Sequence, residues 1–132
     1  MENKQTKRKD LITKDVILCR LGEIAEPGSK GISLGQGASR REIFLVRHGG
    51  EVRGYENSCP HTGGMLDWVP DQFLSYDRKH ILCATHGALF RINDGHCLHG
   101  PCVGRSLSAV AIRLEGDKIL LLDEPPFMPI IA

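Results

Sequence analysis

The chain has 132 residues, enough for a single domain to bury a core without disulfide staples. Its 17 Lys and Arg against 16 Asp and Glu leave a net charge of +1, which excludes the strong basic field of a nucleic-acid binder. No apolar run approaches the length needed to span a bilayer, and the first residues lack the apolar stretch of a secretory signal.

Residues 1–14 are polar and mildly basic (Lys4, Lys7, Arg8, Lys9 and Lys14 against Glu2 and Asp10) and read as a solvated tail. Residues 15–123 read as one domain, and 124–132, rich in Pro and apolar residues, as a C-terminal tail over it. Within the domain Asp15 to Arg20 reads as a first strand, Gly22 to Lys30 as a loop around Pro27-Gly28, and Gly31 to Leu34 as a short strand. Glu42 to Arg47 is dense in β-branched and aromatic residues and predicts a strong strand. Gly49-Gly50 then offers a tight turn into Glu51 to Glu56. Near the other end Ala109 to Leu114 and Lys118 to Leu122 flank Glu115-Gly116-Asp117, a second hairpin. No window carries a long helical period, so the expected class is all-β: an antiparallel sandwich or barrel-like domain.

Between the hairpins, residues 57–104 differ. They hold five of the six histidines (His61, His80, His86, His96 and His99) and are punctuated by Gly63-Gly64, Gly87, Asn93-Asp94-Gly95 and Gly100-Pro101. They read as an inserted subdomain with its own small sheet, from Lys79 to Leu82 and Ala88 to Ile92. Here lie Cys59-Pro60-His61 and Cys83-Ala84-Thr85-His86, a C-x-H and a C-x-x-H. Each sets one thiol and one imidazole close together on a short loop. The order suits a [2Fe–2S] cluster in which one iron takes both thiolates and the other both imidazoles. Zinc accepts the same donor types, but typically as C-x2–4-C followed by H-x3–5-H, whereas here Cys and His alternate. Packing or surface placement without metal is the bland alternative.

The remaining cysteines have other expectations. Cys19, in the apolar run Val16-Ile17-Leu18-Cys19, reads as a core thiol. Cys97 and Cys102 are close enough in sequence to allow a disulfide, which a reducing compartment opposes. With neither anchor nor signal in sight, the expected location is cytoplasmic, without membrane or nucleic-acid partners.

The stretch from Cys59-Pro60-His61-Thr62-Gly63-Gly64-Met65-Leu66-Asp67-Trp68 to Cys83-Ala84-Thr85-His86-Gly87-Ala88-Leu89-Phe90, and on through Gly95 and Gly100-Pro101, resembles the Rieske [2Fe–2S] ferredoxin family. With the flanking hairpins the resemblance runs from about Asp15 to Asp123. It implies three stacked antiparallel sheets and one cluster per chain at an exposed tip. Cys59, His61, Cys83 and His86 would be its ligands, with a third loop at Gly100-Pro101 covering it. The chain departs in one respect: 21 residues separate His61 from Cys83, more than in many members, so extra surface is expected to protrude beside the cluster. Met65, Leu66 and Trp68, in that stretch, are expected to pack or to shield the cluster rather than to face a partner.

High-potential members carry a Ser directly after the second His-Gly and a Tyr two residues later, both donating hydroxyls to the cluster; Ala88 and Phe90 stand there and cannot donate. Those members also join the two ligand loops by a disulfide, where this chain has Gly64 and Thr85. The resemblance therefore implies a potential near the low end of the family range, which spans roughly −150 to +300 mV. Each ligand imidazole would leave one nitrogen free to meet solvent or a docking partner.

The function implied is that of a one-electron carrier rather than an enzyme, accepting from a flavin-containing reductase and passing to a terminal oxygenase or another redox protein. Only ten residues follow Leu122, too few for the second iron domain of an oxygenase catalytic subunit. Two other readings remain open: the small subunit of an assimilatory nitrite reductase, and a redox or iron sensor.

Overall fold

In the computed structural model, residues 16–122 are described; the expected tails at 1–14 and 124–132 lie outside the described residues. Ten strands follow in order: β1 (Val16–Arg20), β2 (Gly28–Leu34), β3 (Arg41–His48), β4 (Glu51–Glu56), β5 (His80–Cys83), β6 (Ala88–Arg91), β7 (Cys97–His99), β8 (Ala109–Val110), β9 (Ile112–Glu115) and β10 (Lys118–Leu121). Two single-turn 3-10 helices, Leu21–Glu23 and Gly37–Ser39, are the helical structure among the described residues. No helix there is long and apolar enough to cross a membrane.

Every strand pairing is antiparallel, in three sheets ordered β1-β10-β9, β2-β3-β4-β8 and β5-β6-β7. The run Ile43-Phe44-Leu45-Val46 explains how they stack. All four side chains are fully buried, although successive residues of a strand point to opposite faces. Phe44 and Val46 join a core that includes Tyr55 of β4, Phe73, and Ile81, Ala88 and Phe90 of the third sheet. Leu45 points the other way, into a core with Cys19 and Ile119 of the first sheet. The four-stranded sheet is thus the middle layer, and β3, buried on both faces, needs an unbroken apolar run. Cys19 lies in that second core, as the apolar context of the sequence predicts.

Three expectations need correction. The strand expected at 31–34 begins at Gly28: Gly28, Ser29 and Lys30 pair with Arg47, Val46 and Leu45, so the ladder with β3 overrides the turn signal of Pro27-Gly28. The single strand expected over 109–114 divides at Ala111. β8 pairs with β4 and β9 with β10, so one apolar run serves two sheets. β7 was not expected at all; its three residues pair with β6 beside a register shift, too short and irregular to show a period. The long segment between His61 and Cys83 exposes Trp68, Val69 and Tyr76 but is anchored in the core. Its Phe73 is fully buried and stacks on Phe44, with ring centroids 4.2 Å apart and an interplanar angle of 2°. Asp71 binds it to β2 as well, accepting from the Gly31 N–H at 2.8 Å through its carboxylate and from the Ser29 hydroxyl at 2.7 Å through its carbonyl.

Candidate metal centre

Each Cys-His loop begins where a strand releases the chain. After β4, Asn57 shapes the first. Its N–H donates to the Glu42 carbonyl at 2.9 Å, its Oδ1 accepts from the Leu66 N–H at 2.7 Å, and its Nδ2 donates to Asp67 Oδ1 at 3.1 Å. Buried and satisfied, this amide closes the loop from Asn57 to Leu66 around Cys59 and His61. The second loop is simpler: it is the turn of the β5–β6 hairpin, with Cys83 the last residue of β5 and Ala88 the first of β6.

Both loops close alike. The Gly63 N–H donates to the Cys59 carbonyl at 2.7 Å, and the Gly87 N–H to the Cys83 carbonyl at 2.9 Å. Each glycine follows its cysteine by four residues and has a left-handed φ, +83° and +69°, which any other residue would adopt under strain. The two loops are joined by the Ala84 N–H to the Leu66 carbonyl at 2.9 Å and by the Trp68 indole N–H to Thr85 Oγ1 at 3.2 Å. The third loop lies against the second. A Cβ on Gly100 would come within 2.8 Å of the Ala88 Cα, so only glycine permits this approach. Arg105 fastens it to the first loop, donating from Nη1 to the Pro60 carbonyl at 3.0 Å. Pro101, beside Gly100, is exposed.

The donors divide by chemistry. Cys59 and Cys83, each 1% exposed, sit in the same core with Phe44 and Phe90. His61 and His86 are exposed, ring centroids 4.9 Å apart and nearly perpendicular at 82°. Sulfur lies inward and nitrogen outward. Burial raises the Cys83 thiol, and the backbone N–H groups of Thr85 and His86 act against it, favouring the thiolate. A buried thiolate needs a cation to offset its desolvation. Among the described residues no three Cys, His, Asp or Glu side chains are grouped for one ion. The donors stand as a sulfur pair and an imidazole pair, and this fits a two-iron cluster with unlike ligands on its irons.

Other sequence expectations sort themselves here. Ala88 and Phe90 are fully buried and present no donor. Leu66 packs fully, but Met65 is 49% and Trp68 71% exposed, because the indole is tethered to the outer loop at Thr85 rather than turned into the core. Cys97 and Cys102 are unbridged thiols with sulfurs 3.2 Å apart. Burial, then the neighbouring sulfurs of Cys97 and Cys59, push the Cys102 thiol up to about 12. Asn57, Cys102 and Arg105 were not singled out as parts of the site. Asn57, two residues before the first ligand and directly after a strand, carried a turn signal that could have been read; the other two act across long sequence gaps.

The Rieske [2Fe-2S] domain family model matches residues 3–115. The chain belongs to that family. A curated relative, "Alkene monooxygenase system, ferredoxin component" of Xanthobacter autotrophicus, is 27% identical over 84 residues, 64% of this chain and 64% of the relative's own length. Among solved structures, the ferredoxin of carbazole 1,9a-dioxygenase from Nocardioides aromaticivorans IC177 superposes with a TM-score of 0.64 at 22% identity, over 83% of this chain and 98% of that one. The terminal oxygenase of carbazole 1,9a-dioxygenase from Novosphingobium sp. KA1 does so with a TM-score of 0.68 at 21% identity, over 86% of this chain but 31% of the oxygenase. At such identities the structures establish the shared fold; the match takes in nearly all of the ferredoxin's own length but under a third of the oxygenase's.

Proposed function

We propose that this chain is the ferredoxin component of an oxygenase system, carrying single electrons from a flavin-containing reductase to a terminal oxygenase in the cytoplasm. Residues 57–104 form its cluster-binding subdomain. Cys59 and Cys83 hold the inner iron, His61 and His86 the outer, and the third loop at Gly100-Pro101 covers the site. The inward sulfur pair and outward imidazole pair carry this reading. The curated relative named as a ferredoxin component supports it.

When bound, the cluster supplies a one-electron couple. The core keeps water from the thiolates, and the Thr85 and His86 N–H groups bear on the Cys83 sulfur. The exposed imidazoles offer a partner the shortest approach and a free ring nitrogen for a hydrogen bond. With Ala88 and Phe90 unable to donate, the midpoint belongs toward the low end, about −150 mV.

Protein purified anaerobically from iron-replete cells should contain about two irons and two acid-labile sulfides per chain and take up one electron in a reductive titration. A colourless protein holding stoichiometric zinc would overturn the reading, and a midpoint well above about 0 mV would overturn its low-potential part.

A further inference from the structure

One cation at the tip has no counterion. Most described arginines pair with a carboxylate, as Arg91 does with Asp94 at 2.9 Å. Among the described residues Arg78 and Arg105 do not. Each spends its guanidinium on a backbone carbonyl, Arg78 on that of Pro27 at 3.3 Å and Arg105 on that of Pro60 at 3.0 Å. Pro60 stands between Cys59 and His61, so the second of these cations is fixed to the first ligand loop. Bond lengths then keep the Arg105 Nη1 within about 7 Å of the His61 Cα. The base of the side chain is fixed as well: the Arg105 N–H donates to the Cys102 carbonyl at 2.9 Å, and the Arg105 carbonyl accepts from the Cys97 N–H at 2.8 Å. The acidic residues flanking the loop are committed elsewhere, Glu56 to Arg41 and Asp67 to the Asn57 amide.

A charge so placed acts on an electron. Reduction makes a cluster one unit more negative, and a fixed cation nearby stabilises the more negative state. We infer that the Arg105 guanidinium, held without a counterion against the peptide between Cys59 and His61, raises the reduction potential of the site. The inference rests on those two residues being cluster ligands. Exposure decides the size of the effect. Arg105 is exposed, so water and salt screen it, and its pull on the electron amounts to a few-fold in the reduction equilibrium. Screening also gives the effect a signature. A charge acting through solvent fades as ionic strength rises, whereas a hydrogen bond that only braces the loop does not.

The test is an equilibrium redox titration of the cluster-loaded protein and three variants at about 0.01 M and about 1 M salt, between which the screening length falls from about 30 Å to about 3 Å. Arg105→Gln removes the charge and should make reduction roughly threefold less favourable in low salt, a fall of about 28 mV for one electron. In high salt most of that gap should close. Arg105→Lys keeps the charge and should keep the native midpoint in both. Arg78→Gln removes the other arginine held on a carbonyl, which precedes β5 whereas Cys83 ends it, and should leave the midpoint unmoved. A native midpoint for Arg105→Gln in low salt overturns the inference, and so does a gap that salt does not narrow or that Arg105→Lys shares. Faster cluster loss with an unmoved midpoint would mark a brace and refute the role of the charge. If Arg105→Gln does not load, Arg105→Lys carries the test alone, and a midpoint below the native one in low salt overturns the inference. Native protein that binds no iron–sulfur cluster would fail the proposed function first; loaded variants with unmoved midpoints would refute only the tuning role.

Discussion

The middle sheet and the ligand tip are built on opposite terms. In β2, β3 and β4 the backbone is held by continuous ladders, seven paired residues between β2 and β3 alone, with apolar side chains buried on both faces. At the tip the three loops are held to each other by a handful of single hydrogen bonds, by two left-handed glycine turns and by one close glycine contact. A ladder tolerates the loss of one bond because its neighbours hold the register; a loop fixed at one point does not. Stability should therefore reside in the sheet and metal retention in the loops. Phe73 is the tie between them, a residue of the long first segment stacked on Phe44 of the sheet.

That contrast can be broken or sharpened by substitution. The largest effect is expected from Cys83→Ala or Cys59→Ala, which should abolish cluster binding while far-UV circular dichroism retains the strand signal. Iron analysis checks the first half, and a coloured variant would contradict the ligand assignment. Phe73→Ala should cost about 3–5 kcal/mol in urea unfolding and weaken metal retention together, since it cuts the tie. A loss below about 1 kcal/mol would mean that loop and sheet are energetically separate. Gly100→Ala should cost about 1–3 kcal/mol from the left-handed φ of +107° and the clash with Ala88, with its clearest signature a faster loss of cluster absorbance.

The smallest effect concerns Asp94 in the turn before β7. Hydrogen bonds from Arg91, then from the His96 N–H, lower its carboxyl from 3.8 to about 2. Because the folded value lies below the unfolded one, its contribution is present above about pH 4 and fades as pH falls toward about 2. Urea midpoints of native protein and Asp94→Asn should differ slightly near neutrality and converge in acid. A difference that persists at low pH would show that the carboxylate charge is not its source.

Much of this architecture was legible in one dimension, for reasons visible in particular residues. Glu51–Glu56 and the turn at Gly49-Gly50 appear where a hairpin pattern predicts them, because turn chemistry and alternation are local. The four candidate ligands stand out because two short motifs concentrate rare donors. Legibility failed where one segment answers to two partners. The run 109–114 divides between two sheets, Gly28 is drawn into a ladder despite its proline, and Trp68 stays outside because Thr85 holds it there. None of these is encoded near the residue it affects.

The order Cys-His, Cys-His, each followed by a glycine four residues after its cysteine, determined by itself which atoms could grip a metal and how each loop would turn. Donor type and turn geometry are properties of a few consecutive residues. Tertiary structure alone decided that sulfur faces the core and imidazole the solvent, and that Asn57 and Arg105 brace the first loop. Those relations depend on burial and on contacts between segments dozens of residues apart, which only the packed sheets bring together.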